Sequence, residues 1–431
     1  MDLFLAESVP IAWRPPDELT RTRRTAGAVA WFTDERESLV AAARLAYEDR
    51  LWPYVWGIVD VLNGFFVAQR HGAESLELKD LVLRATREAG DRVAETEALY
   101  AYASYYLTSG QHPKAVAVLQ DVRERFATLG KSDRAARMTL ALGVVERDRG
   151  RLAVAAGLLE QCLDLYRDGD HAMSFAATEH NLAIVLREEG WLRRAAETLA
   201  HAIPVFHAHG DTGVGRLLHT RAVLNMCLGR FADAEADLNE ARPHCVAAGD
   251  ARWTAIVDLG KARLLGRKRE WTRMLDRLSQ VERSFQDIED HLGTAQVWRS
   301  RAMVLRETGD PAAALDLYAR AASTYETTDD DRTKARLTYG TALTLLHSGD
   351  AAGASAGFAA AERSFVDLDD LPWLLRTRYR QAAMRSAADG PTAAAAAWAD
   401  VRRIAAVLVD RAGEGHFPAW LLPIRAAAGG D

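Results

Sequence analysis

Few residues in this 431-residue chain have types and spacings that could do chemistry. His201, His207 and His209 cluster near the end of one segment, and His244 with Cys245 falls further along. A transition-metal site wants three or four such ligands in tight geometry. No i, i+4 histidine pair is present and Cys245 sits where an apolar wedge is needed, so surface histidines and no metal are expected. The three cysteines, Cys162, Cys227 and Cys245, form no C-x-x-C pair, which leaves neither a disulfide framework nor a zinc knuckle and points to a reducing compartment. The string ending in Gly130-Lys131-Ser132 has the end of a phosphate-binding loop, but Arg125 occupies the place of its first glycine. That string follows a helical segment instead of a strand, so it reads as a helix C-terminus. Glu179 and His180 are sequence neighbours and point about 100° apart on a helix, so they make no dyad. Nucleophile elbows, metalloprotease motifs and paired carboxylates are missing as well. The expectation is no catalytic residue, no cofactor and no enzyme.

Arginine remains. The sequence holds 48 arginines against 6 lysines, the bias of a GC-rich genome such as an actinobacterium's. Guanidinium groups pair with carboxylates through two parallel hydrogen bonds. Net charge is −6 with a pI near 6.1, so the protein as a whole has no pull toward nucleic acid or anionic lipid, and any basic site must be local. Arginines interleaved with aromatics could stack single-stranded bases, but the overall acidity argues against it. The opening MDLFLAESVP has no basic leader region, and no apolar run approaches the length of a membrane span. A cytoplasmic location is expected.

The elements that would position these arginines repeat. Turn positions fall at Gly110, Gly150, Gly190, Gly229, Arg269, Gly309, Gly349 and Asp389, a period of 40 residues. Seven residues before each turn stands a small side chain (Ala103, Gly143, Ala183, Ala222, Ala262, Ala302, Ala342, Ala382). Five after it come Ala115, Ala155, Ala195, Ala234, Met274, Ala314, Ala354 and Ala394, and small residues here let helices approach closely. Large apolar wedges lie nine and sixteen residues past most turns, as at Leu119 and Phe126 or Phe358 and Phe365. A second mark falls midway, at Gly90-Asp91, Gly130, Gly169-Asp170, Gly210-Asp211, Gly249-Asp250, Glu289-Asp290, Asp329-Asp330 and Asp369-Asp370. Glycine closes one helix in the left-handed region and aspartate caps the next. Each unit is therefore two helices of about 17 residues, about 26 Å long. Period-2 strand patterning does not compete. The 40-residue unit replaces the two or three domains that length alone suggests.

The expected fold is all-α, a right-handed superhelical solenoid of about nine antiparallel helix pairs. Residues 1–27 form an N-terminal extension, and 28–90 a helix followed by an irregular pair divided at Gly72. Residues 91–410 carry the regular repeats, and 411–431 form a tail. That tail holds Phe417, Trp420, Leu421, Leu422 and Ile424, and exposed solenoid ends need a cover, so it is expected to cap the stack. A partner-docking peptide is the alternative.

The spacing of small residue, turn glycine, alanine, aromatic or leucine, and a second small residue (Ala202, Ala241, Ala321, Ala361) resembles the tetratricopeptide repeat, in a 40-residue version. The stretch AVAWFTDERESLVAAARLA, followed by Phe65-Phe66 and the repeats, resembles the entry into the C-terminal helical-repeat region of actinobacterial AfsR-type regulators, signal-transduction ATPases that control antibiotic production. The resemblance implies a sensor or scaffold module. The DNA-binding domain and nucleotide switch that precede the repeats in that family have no counterpart in this sequence, so ATPase activity and DNA binding are not carried over.

In tetratricopeptide arrays the first helix of each unit lines the concave surface, which implies a groove formed by Arg137, His180, Asn181, Arg187, Arg216, His219, Arg263, Arg299, Arg336, Tyr339, Arg376 and Tyr379. Such a surface suits carboxylates, whether of an acidic peptide, the C-terminus of a protein or an anionic small molecule. The competing expectation is that these arginines pair with acidic residues of neighbouring helices. The implied function is a non-enzymatic interaction or sensor module of a bacterial regulatory system, with a protein or peptide partner or an anionic small-molecule ligand, no membrane and no direct nucleic-acid contact. The alternatives are a structural adaptor in a secondary-metabolite or conflict system, or an enzyme built on helical repeats.

Overall fold

The structure, a computed structural model, describes residues 21–431 except 70–71, 109–110, 168–170, 211–212, 415, 417, 422–423 and 425–431. Among the described residues the only regular elements are helices. Expectations for residues 1–20, Gly110, Gly169-Asp170, Asp211, Phe417 and Leu422, and for the side chains of Phe65 and Phe66, lie outside what is described.

Two compact units divide at Ala135 and Ala136. The first holds α1 (Arg21–Glu48), α2 (Trp52–Gln69), α3 (Gly72–Ala89), α4 (Arg92–Thr108) and α5 (His112–Thr128). α1 begins seven residues before the expected Ala28, because RTRRTAG offers no proline or paired glycine to stop it. Val55 and Leu62 of α2 are fully buried and pack with Ala43 of α1 and Leu78 of α3 in one core. At the next helix start, Asp91 caps α4 by accepting from the backbone N–H groups of Val93 at 3.0 Å and Ala94 at 2.9 Å.

The second unit begins within α6 (Ser132–Asp148) and continues through α7 (Leu152–Tyr166), α8 (Ala172–Glu189), α9 (Leu192–Ala208), α10 (Val214–Cys227), α11 (Phe231–Ala247) and α12 (Ala251–Arg267). It ends with α13 (Trp271–Asp287), α14 (His291–Thr308), α15 (Pro311–Tyr325), α16 (Asp331–His347), α17 (Ala351–Asp367), α18 (Leu371–Asp389) and α19 (Ala395–Ala412), then a 3-10 turn at Ala419–Leu421. Successive helices from α7 on pack against one another, as a tetratricopeptide-like solenoid requires. The expected small positions are the contact points: Ala183, Ala222, Ala262, Ala302, Ala342 and Ala382 are all fully buried, as are Ala155, Ala195, Ala234, Met274, Ala314, Ala354 and Ala394. At Gly143 an added Cβ would stand 2.9 Å from Leu159 Cδ2, closer than real carbons pack. The wedges Phe126, Phe206, Phe285, Phe358 and Phe365 are buried in the same way.

The turns also follow the period. Gly150, Gly190, Gly229, Gly309 and Gly349 have φ between 76° and 95°. At three of the turns where the period places no glycine, the backbone still turns left-handed, at Arg269 (φ 59°), Glu289 (φ 53°) and Asp369 (φ 50°), whereas Asp329 does not. Non-glycine residues pay about 1–2 kcal/mol there. The last turn falls at Gly390, not Asp389, since glycine takes that conformation without strain. Aspartates cap as expected: Asp250, Asp290, Asp330 and Asp370 accept from the N–H three residues on, and so do Asp310 and Asp350.

The array bends back on itself. α18 touches α8 and α19 touches α9, each ten helices later. A Cβ built on Gly190 would lie 3.1 Å from Leu408 Cδ2, and one on Gly229 3.2 Å from Ala419 Cβ. In the tail, Leu421 is fully buried and Ile424 nearly so, both within the core of Leu375, Val401, Ile404 and Leu408.

Candidate functional site

The first helices of the units in the second body, α8, α10, α12, α14, α16 and α18, carry most of the expected groove residues. Arg137 is half-buried on α6. His180 Nε2 lies 2.9 Å from Thr220 Oγ1 of α10, and burial, with Arg147 and Arg216 nearby, pushes the imidazole down to about 3. His219 meets the Trp253 ring edge to face at 5.7 Å and is also pushed to about 3, by burial and then by Arg263 and Arg187. Both rings are therefore neutral structural groups at ordinary pH. Asn181 Oδ1 accepts from Arg147 Nη1 at 2.7 Å, and its amide donates to the Ala177 carbonyl at 2.9 Å.

The arginines divide into two sets. Arg216 donates to Asp250 Oδ2 at 2.6 Å and lies over Trp253, 5.4 Å from the ring centre. Arg187, Arg332 and Arg336 converge on Glu188, the first on Oε1 and the other two on Oε2. Burial alone would raise the Glu188 carboxyl, but the three guanidinium groups outweigh it and hold the carboxyl well below the usual range. Arg332 continues to Asp370 Oδ2 at 2.6 Å.

The other set has no carboxylate partner among the described residues. Arg263 reaches only neutral groups, Gln296 Oε1 at 3.2 Å and Ser300 Oγ at 3.4 Å. Burial, then the like charges of Arg299, Arg336 and Arg267, lower it to about 9. Arg299 has neither a hydrogen bond nor an ion pair among the described residues. Arg376 lies between two indole rings, 4.6 Å from the centre of Trp373 and 4.1 Å from that of Trp420. Burial and then Arg267 lower it to about 10. Tyr339 packs edge to face against Trp373 at 5.4 Å, and Tyr379 against Trp398 at 5.6 Å. Arg336 also lies over Trp373, at 5.1 Å. Arg263, Arg299, Arg336 and Arg376 thus share one electrostatic neighbourhood.

Besides the Glu188 cluster, two arrangements escaped the sequence reading. Glu179 pairs with His201 of the following helix, Oε2 to Nδ1 at 2.6 Å, instead of with its neighbour His180. Cap aspartates also serve twice: while Oδ1 caps, Oδ2 holds an arginine of the preceding unit, Arg252 for Asp290 and Arg332 for Asp370, each 38 residues back. The signal was present as an arginine two residues past one cap aspartate and 38 before the cap aspartate one unit later. His207 and His244 meet edge to face at 5.9 Å, and the described residues contain no group of three or more ligands that could hold a metal ion.

No curated protein matches this sequence. Among solved structures the fold is similar to a Rap protein complexed with competence and sporulation factor, at TM-score 0.62 and 11% identity, covering 86% of this chain and 99% of that one. Aspartyl phosphate phosphatase F from Bacillus subtilis follows at TM-score 0.49 and 9% identity, covering 79% and 91% of the two chains. A signal-transduction ATPase with a tetratricopeptide repeat sensor from Pyrococcus horikoshii gives TM-score 0.46 and 12% identity, covering 84% and 54%. Residues 95–168 match the tetratricopeptide repeat family, and with the repeat geometry above the protein is a tetratricopeptide-like helical-repeat protein.

Proposed function

We propose that this protein is a non-enzymatic sensor module of a bacterial regulatory system that binds a carboxylate-rich segment of a partner protein or peptide along the inner helices of its second unit. One observation carries the reading: Arg263, Arg299 and Arg376 have no carboxylate partner among the described residues, Arg263 and Arg299 adjoin Arg336, and Arg336 and Arg376 lie over Trp373. Assembled like charge in a half-buried surface is costly, and an arriving anion removes that cost. Indole faces add contact area for the rest of the segment. The Rap protein of similar fold was solved with a bound factor, which is compatible with such a role. The sequence resemblance to AfsR-type regulators supplies the regulatory context, and a cytoplasmic location follows from it.

The test is calorimetry of the full-length protein with a panel of acidic peptides, repeated with Arg263→Ala, Arg299→Ala and Arg376→Ala. A charge-assisted hydrogen bond contributes about 1.5–3 kcal/mol, so each substitution is expected to weaken binding roughly 10- to 100-fold. Unchanged affinity in all three refutes the assignment of the groove.

A further inference from the structure

Glu188 stands where a ligand carboxylate would. It lies at the C-terminal end of α8, yet two of its three arginine partners, Arg332 and Arg336, come from α16, 144 and 148 residues along the sequence. Three guanidinium groups on one carboxylate leave positive charge over. Arg332 keeps a second carboxylate in Asp370, which has no exposed side-chain surface. Among the described residues Arg336 makes its one ion pair with Glu188, and Asp370 acts on it only from beyond contact. The Nε of Arg336 and that of Arg187 are buried donors with no acceptor among the described residues, a deficit that the closed arrangement does not repair. Arg336 also adjoins Arg299, and both it and Arg376 lie over the Trp373 ring, so an anion held by the unpaired set lies beside it.

From this geometry we infer that Glu188 is a resident substitute for the ligand, a latch that an incoming carboxylate-bearing segment displaces from both arginines of α16, Arg336 and Arg332, parting α8 from α16. The inference rests on the reading of the groove given above. It goes further in naming the residue that the ligand must compete with and the contact that reports its arrival. The exchange replaces one carboxylate on Arg336 by another, leaves Arg332 with Asp370 and returns Glu188 to water with its neighbour Arg187, so it is close to balanced, which a responsive switch requires. Arg332 stays anchored to Asp370, so α16 retains its place against α18 when the latch opens. The contacts of α19 with α9 are of another kind, Arg411 over the Trp191 ring at 5.3 Å and Gly413 against Arg193, and they remain as the fixed side of the movement.

The experiment uses the full-length protein, with a hexaglutamate peptide as probe and inorganic phosphate as a second arm. Glu188→Gln keeps the shape and removes the charge, and is expected to bind hexaglutamate at least about fivefold more tightly than the wild type. Amide exchange at residues 186–190 and 331–336 is expected to speed up in that variant, and in the wild type on adding the peptide. Glu188→Asp, which keeps the charge and shortens the reach, should fall between the two and serves if the glutamine variant does not fold. Peptide binding that is equal or weaker in the variants, or that leaves exchange at residues 186–190 unchanged, overturns the latch while the groove reading stands. No peptide binding to any form overturns both. Opening by phosphate as effective as by peptide overturns the carboxylate assignment.

Discussion

Asp370 does two things with one carboxylate, and the two can be separated. Oδ1 caps α18 by accepting from the Trp373 N–H at 3.2 Å, while Oδ2 holds Arg332 Nε at 2.6 Å in a site where Asp370 is 1% exposed. Asp350 is the control: its Oδ1 caps α17 at the Gly353 N–H at 2.8 Å, it is exposed, and it has no ion-pair partner among the described residues. Asp350→Ala removes a cap and is expected to cost about 1 kcal/mol. Asp370→Ala removes a cap and one side of a buried ion pair, and losing one partner of such a pair costs about 3–5 kcal/mol. Because Arg332 keeps Glu188, the lower end applies and the expected total is about 4 kcal/mol. Urea unfolding of the full-length protein, with midpoint and slope both fitted, measures the difference. Amide exchange over residues 331–389 localises it, since two compact units need not unfold together. Equal losses for the two substitutions would refute the claim that the buried pair stabilises this part of the array beyond the cap.

Three further outcomes follow from the same structure. Arg269→Gly, at φ 59°, is expected to raise stability by about 1 kcal/mol, whereas Gly309→Ala at φ 95° lowers it by a similar amount; thermal melts of both decide it. His180 has its folded value pushed down to about 3 against an ordinary value of 6.5, so the unfolded protein takes up the proton first as pH falls. The stability from keeping His180 neutral is complete above pH 6.5 and drains away toward pH 3, and His180→Gln should flatten that part of a stability-against-pH curve. Deleting residues 415–431 removes Leu421 and Ile424 from the core against α18 and α19, and should lower the melting temperature and promote aggregation. A truncated protein that melts unchanged but loses its partner would assign the tail to docking.

Repeat geometry was legible because each unit faces the same local problem. The position seven before the turn packs under the next helix in every unit, so alanine recurs there, and the turn demands a left-handed residue whether or not glycine is supplied, as Arg269 shows. The residues expected to form a groove could be read only as positions on the first helix of each unit. Whether an arginine there is paired depends on neighbours outside its own unit: Arg216 finds Asp250 at 34 residues, while Arg299 finds no partner among the described residues. Glu188 was invisible for a stronger reason. Two of its three partners lie one full bend of the array away, and the radius of that bend is set by the summed packing of intervening helices, which no 40-residue pattern encodes. Glu179 and His201 were missed on a smaller scale, since a one-helix periodicity does not say which side chains meet across a turn.

The return of α16 toward α8 also changes how such a protein acquires its structure. In an open array each unit touches only its neighbours, so folding can nucleate anywhere and the ends can fray separately. A contact between residues 188 and 332 is different, because it cannot form until the helices between them are in place. It adds long-range order that slows assembly and ties the middle of the sequence to its end. The second unit should therefore melt in one cooperative transition instead of unzipping repeat by repeat.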